Sequence, residues 1–235
     1  MRTLGLIGGM SWHSTATYYR IINEVVADRL GGHASAPIAL QSLDFATIRQ
    51  CQVDGDWAGA GVLLGRAAQA CVTGGADAVA ICTNLMHKVA PAVESAVDVP
   101  LLHIGDAVAG VASSHGWTRL GILGTRWVME ESFYADRLAR HGITAVVPSE
   151  PERELVDRVV FDELTQGKIV DASRAAYVDV IERLASQGAE AVVLACTEIG
   201  LLVSGPDSPL PLICSADAHA RALADFSLAP EPALA

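Results

Sequence analysis

Basic side chains are scarce. Sixteen Lys+Arg stand against 27 Asp+Glu, a formal charge of −11 over 235 residues with the seven His neutral. A surface of that sign repels phosphate backbones and anionic headgroups, and no local basic patch offsets it, which argues against nucleic-acid and membrane-surface partners. Long apolar runs are missing too. Stretches such as Ala191-Val192-Val193-Leu194-Ala195-Cys196 fall far short of the roughly 18 residues a membrane span needs. The opening Met1 to Gly9 has one basic residue and a very short apolar stretch, too little for a secretory signal peptide, so the expected location is cytoplasmic. The five cysteines, Cys51, Cys71, Cys82, Cys196 and Cys214, include no C-x-x-C pair, and neither a disulfide framework nor a metal knuckle is expected. Gly5-x-x-Gly8-Gly9 is not the G-x-G-x-x-G dinucleotide turn, and no Gly-Lys-Ser or Gly-Lys-Thr follows it. These glycines are expected to let the backbone approach a small substrate closely.

What is present is a large apolar content, 51% hydrophobic against 18% charged, enough to fill a sizeable core. Strand-like apolar runs alternate with helical patterns, the signature of an α/β fold with mainly parallel sheets flanked by helices. Strands are expected at Thr3 to Ile7, Ile38 to Leu43, Ala78 to Cys82, Leu101 to Ile104, Leu120 to Leu123, Ala145 to Val147 and Ala191 to Ala195. Helices are expected at Ser14 to Leu30, Gly61 to Thr73, Glu130 to His141 and Ser173 to Gln187, with a loose tail over 229–235.

Three pairs of segments repeat in the same order. Leu4-Gly5-Leu6-Ile7-Gly8 resembles Leu120-Gly121-Ile122-Leu123-Gly124, and Gly75 to Thr83 resembles Gly188 to Cys196. Pro100-Leu101-Leu102 with Asp106-Ala107 resembles Pro211-Leu212-Ile213 with Asp217-Ala218, so the offsets are 116, 113 and 111 residues. Such a nearly constant offset implies two homologous, pseudo-symmetric lobes with the active site in the cleft between them. The expected lobes are 1–105 joined by 211–228, and 106–210.

In this alignment Thr83 falls opposite Cys196, and Asn84 opposite Thr197. Each pair ends a parallel strand, where open α/β sheets place ligands. Lobes packed about a pseudo-two-fold axis would offer a small molecule a hydroxyl on one face and a thiol on the other, which suits proton exchange at a stereocentre. Cys196, at a strand end before a helix amino terminus, is expected to be favoured as the thiolate and to serve as base or nucleophile; the competing reading is an inert buried thiol. Cys82 reads as core. Thr83-Asn84 either cap the helix near Leu85 or hold a carboxylate, and His87 reads as a helix anchor or a surface residue.

Several motifs together resemble a known family. Gly8-Gly9-Met10-Ser11-Trp12, Ser42-Leu43-Asp44-Phe45, Cys82-Thr83-Asn84-Leu85-Met86-His87-Lys88, Leu123-Gly124-Thr125-Arg126 and Ala195-Cys196-Thr197-Glu198-Ile199-Gly200 are similar to the cofactor-independent aspartate/glutamate racemases over nearly the whole chain. The likeness is greatest to the L-aspartate/L-glutamate-specific or broad-specificity amino-acid racemases, in which threonine, here Thr83, replaces the first of two catalytic cysteines. The resemblance implies that Thr83 and Cys196 flank the substrate α-carbon as proton donor and acceptor. It implies that Met10, Gln52, Asn84 and the backbone at Leu85 line one half of the pocket, and Thr125, Lys168, Thr197 and Glu198 the other. Lys168 and Gln52 each have a plainer reading as solvated surface residues. Leu85 stands where members commonly carry threonine, and His13 where they carry glutamate. The implied enzyme is a homodimer that acts on an amino acid without a cofactor or metal. Two other readings are a decarboxylase or cis-trans isomerase of small dicarboxylates on the same scaffold, and a non-catalytic amino-acid-binding protein.

Overall fold

The computed structural model describes residues 1–230, and the expected loose tail lies outside the described residues from 231 onward. The chain forms two compact units: Met1–Ile104 together with the chain from His219, and Gly105–Ala218.

The first unit runs β1 (Leu4–Gly8), α1 (Trp12–Leu30), β2 (Ile38–Ser42), α2 (Phe45–Asp54), α3 (Trp57–Thr73), β3 (Ala78–Ile81), a 3-10 turn over Leu85–Val89 and α4 (Ala90–Glu94). The second contains most of α5 (Ile104–His115), then β4 (Arg119–Gly124), α6 (Arg126–Glu130), α7 (Ser132–Ala139), β5 (Thr144–Val146), α8 (Glu150–Asp162), α9 (Asp171–Ser186), β6 (Ala191–Ala195), α10 (Ile199–Leu202) and β7 (Leu212–Cys214). The final helix, α11 (Ser215–Leu228), starts in the second unit and continues in the first. All strand pairs are parallel, in the orders β2-β1-β3 and β5-β4-β6-β7. β1, β3 and β6 are buried along their whole length, which is why they read as unbroken apolar runs rather than alternating ones. Each fully buried aliphatic side chain there, Leu6 or Ile81 for instance, contributes about 1.5–3 kcal/mol of transfer free energy.

The repeat seen in the sequence appears in the strand register. Gly5 pairs with Val79 as Gly121 pairs with Val192. The Val79 amide donates to the Pro100 carbonyl (2.9 Å) and the Val192 amide to the Pro211 carbonyl (2.8 Å). The offset of 113 residues between Val79 and Val192 is therefore the one that aligns Thr83 with Cys196.

Three expectations need correction. The segment Leu101 to Ile104 is not a strand: Leu101 makes a single bridge to Val79, and the Ile104 amide donates to the His87 ring instead of extending the ladder. The return to the first unit begins at His219 rather than at 211, because Leu212–Cys214 pairs with β6 as an outer strand of the second sheet. The helix expected over Glu130 to His141 runs over Ser132–Ala139, cut off from Glu130, the last residue of α6, by the extended backbone of Glu131 (φ −93°, ψ 150°). The glycines at the end of β1, whatever they offer a substrate, are also required by internal packing. A Cβ on Gly8 would sit 2.5 Å from Thr15 Cγ2, and one on Gly9, whose φ is +86°, would sit 2.1 Å from the Leu43 carbonyl oxygen.

His87, His103 and His219 are buried together in the first unit. The His87 ring centroid lies 4.3 Å from that of His103 and 5.9 Å from that of His219. Burial, reinforced by the two neighbouring imidazoles, holds His87 well below the usual histidine range, so it is neutral in the native protein. Below about pH 6.5 the unfolded chain takes up a proton that folded His87 refuses, and stability is lost as the pH falls, by up to about 1.4 kcal/mol per pH unit. Urea midpoints measured between pH 7.5 and 5.5 should drop for the native sequence and drop less for His87→Gln. Equal slopes would contradict the assignment.

Candidate active site

In the first unit the site residues gather at the carboxyl ends of the three strands. β1 ends in the Gly8-Gly9 turn, where the Gly9 amide donates to Thr15 Oγ1 (2.8 Å) and Met10 follows, buried. β3 ends at Ile81, and the chain leaves it through Cys82 in the core and Thr83 at the boundary. Burial pushes the Cys71 thiol up to about 11 and the Cys82 thiol higher still, which keeps both out of acid-base work at neutral pH. Asn84 makes no side-chain cap to the turn that follows, so simple capping does not account for it. Leu85 is buried.

Gln52 on α2 is buried rather than solvated. Its Nε2 donates to Met86 Sδ (3.3 Å) and its Oε1 accepts from Arg49 (3.2 Å). The sequence reading passed over Arg49. Its position three residues before Gln52 on one helix face was the available signal.

In the second unit β4 and β6 end side by side, with Gly124 opposite Ala195, so Thr125 and Cys196 leave adjacent strands at the same level. Thr125 Oγ1 is buried and has no hydrogen-bond partner among the described residues. A buried hydroxyl left unsatisfied costs about 1–3 kcal/mol, which a bound polar ligand would recover. The Cys196 thiol donates to Glu198 Oε2 (3.0 Å), and Thr197 Oγ1 donates to the same oxygen (2.7 Å).

The thiol's protonation corrects the sequence reading. Burial and the facing Glu198 carboxylate push Cys196 well above the usual thiol range, outweighing the Glu198 and Ile199 amides that pull it down. The following helix, α10, has four residues and carries little dipole. Cys196 therefore rests as a neutral thiol with a carboxylate on its proton. Lys168 is exposed, with its ammonium on Gln166 Oε1 (2.8 Å) in the loop after the turn Leu164–Gln166. That contact is the one expected of a solvated loop residue. Among the described residues no helix is long and apolar enough to cross a membrane, and no group of three or more His, Cys, Asp or Glu side chains is arranged to hold a metal ion.

The family model described as Asp/Glu/Hydantoin racemase matches residues 7–223. The solved structure of a candidate Asp/Glu racemase from Yersinia pestis is 46% identical, with 97% of this chain and 100% of that chain covered and a TM-score of 0.94. An aspartate racemase homologue from Pyrococcus horikoshii OT3 is 30% identical over 97% of this chain and 99% of its own, with a TM-score of 0.84. Arylmalonate decarboxylase, 15% identical over 97% of this chain and 94% of its own at a TM-score of 0.51, shares the fold. With its two parallel sheets flanked by helices, and a family match from end to end of the fold, the chain belongs to the Asp/Glu/hydantoin racemase family.

Proposed function

We propose that this protein racemises an amino acid, L-Asp, L-Glu or a close relative, by moving the α-proton between Cys196 and Thr83 on opposite sides of the substrate α-carbon. The observation that carries the reading is the register: Thr83 lies four residues beyond Val79 and Cys196 four beyond Val192, at the same place in two sheets of like strand order. Equivalent strand ends that carry one hydroxyl and one thiol supply the two proton carriers that inversion at a stereocentre needs. A cytoplasmic, homodimeric and cofactor-free enzyme completes the reading on family grounds.

The chemistry begins with a thiol that must lose its proton. Glu198 Oε2 already accepts the Cys196 hydrogen bond, so the S–H bond breaks, an O–H bond forms on the carboxylate, and the thiolate removes the α-proton. Amides of the Thr83-Asn84-Leu85 and Thr197-Glu198 turns, with the unsatisfied Thr125 hydroxyl, are suited to stabilising the charge delocalised onto the substrate carboxylate. The Thr83 hydroxyl then gives its proton to the opposite face of the carbanion, and its oxygen is reprotonated by solvent water as Glu198 releases the proton it took. Gln52, Met10 and, at Gln52, the Arg49 guanidinium would contact the substrate side chain, and Arg49 supplies the cation that a second carboxylate requires. Leu85 withholds one neutral hydrogen bond, a loss of about 0.5–1.5 kcal/mol in binding.

Glu198→Gln keeps an acceptor for the thiol but cannot take its proton. It should lower kcat for α-proton exchange by about 10²-fold at neutral pH, within the range of general-base effects. Unchanged kcat would remove Glu198 from the proton path. The overall reading is tested by incubating the protein with L-Asp, L-Glu and other amino acids in deuterated water and following the α-proton by NMR. Loss of the signal with the opposite enantiomer appearing supports racemisation, and saturable binding with no exchange would favour a binding protein. The buried Leu85 and the shared decarboxylase fold support a second reading, decarboxylation of a less polar malonate, which product analysis with substituted malonates would reveal.

A further inference from the structure

We propose that His87 is a positioning residue that fixes Thr83 for proton transfer, an inference that rests on the catalytic reading of Thr83 given above. The backbone leaving β3 gets little support from regular structure. The turn that follows is a tight 3-10 helix, in which the His87 amide donates to the Asn84 carbonyl (3.1 Å) and not to that of Thr83. The Thr83 carbonyl is instead reached by a side chain: His87 Nδ1–H donates to it at 2.8 Å. One residue earlier the pattern is the same, with Ser14 Oγ on α1 donating to the Cys82 carbonyl (3.3 Å). Two side chains from different elements thus tether the two peptide units that carry Thr83.

The ring is itself held. Its Nε2 accepts from the Ile104 amide at the start of α5 (3.2 Å), which leaves the proton on Nδ1 and fixes the tautomer that Thr83 needs. His103 lies beside it, tilted by 59° at 4.3 Å between ring centroids, and His219 stands behind, anchored by Nε2–H to the Leu102 carbonyl (2.8 Å) and by Tyr18 Oη to its Nδ1 (2.9 Å). A hydroxyl is a weak acid, so its productivity depends on being held within a few tenths of an ångström of the reacting carbon.

The two ring nitrogens can be tested separately. Asparagine places an amide N–H where Nδ1 was, keeping the tether to Thr83 and losing the contact to Ile104. Glutamine reaches the Nε2 position and does the reverse. For racemisation, followed as inversion of configuration, His87→Gln should lower kcat by about 10–100-fold with KM within about threefold, while His87→Asn stays within about threefold in both. Thermal midpoints of both variants and the inversion rate of Thr83→Ala are measured alongside. Equal losses of kcat in the two variants, tracking their thermal midpoints, would show a structural role and overturn the proposal, as would unimpaired His87→Gln beside an impaired Thr83→Ala. Inversion at the native rate by Thr83→Ala would overturn the catalytic reading of Thr83, and this inference with it.

Discussion

Cys196→Ser should lower α-proton exchange by about 10²–10⁴-fold, the span general-base catalysis commands. The substitution keeps the size of the side chain and a hydrogen bond to Glu198, but it exchanges a polarisable thiol for a hydroxyl that a carboxylate cannot deprotonate at useful levels. Two features of the site make the drop large. Cys196 is already hard to ionise, because burial and the Glu198 carboxylate oppose the thiolate. Any further increase in the acceptor's proton affinity falls directly on the barrier. The residue is also only partly buried and packs at the edge of the second core, so the fold should survive the change and unaltered thermal unfolding will separate chemistry from stability. Exchange at the native rate would remove Cys196 from the reaction.

Gly9→Ala should be the most damaging small substitution for the fold. The added methyl would meet the backbone of Leu43 at 2.1 Å from its oxygen and 2.5 Å from its nitrogen, and Gly9 sits at a φ of +86°. Backbone cannot swing aside, and the Leu43 amide is itself hydrogen-bonded to the Gly8 carbonyl (3.0 Å). Overpacking of about 1–3 kcal/mol and backbone strain of a similar size combine to about 2–6 kcal/mol. Against a total stability of about 5–15 kcal/mol, that lowers the thermal midpoint by about 5–20 °C or prevents folding. Gly110→Ala supplies the control, since Gly110 is exposed within α5 with no heavy atom within 4 Å of the added Cβ. That variant should gain about 0.5–1 kcal/mol. Equal midpoints for the two variants would contradict the packing described for the end of β1.

The central strands were legible because burial on both faces leaves an unmistakable run of small and branched apolar residues, as in Ala191–Ala195. The 113-residue repeat could be read for the same reason, and it located the strand ends that carry Thr83 and Cys196. The outer strand Leu212–Cys214 is three residues long and half-exposed, and it was seen only as the echo of Pro100-Leu101-Leu102. The two then behave differently because His87 takes the Ile104 amide, while the β6 edge remains open to β7. A side-chain acceptor 17 residues away leaves no local signal. Helix α8 did leave one, the Ser149-x-x-Glu152 capping box, which went unused. The protonation of Cys196 was beyond a sequence reading, since the sign depends on whether the Glu198 carboxylate turns toward the sulfur or away.

The central claim is that a sulfur and an alcohol oxygen serve opposite faces of one carbon, and Thr83→Ala in deuterated water tests it most directly. With the sulfur as the only remaining base, the L enantiomer should still exchange its α-proton and return as the L form carrying deuterium, while the D enantiomer stays unlabelled and neither inverts. Deuterium entering both enantiomers, or inversion continuing at the native rate, would contradict the account.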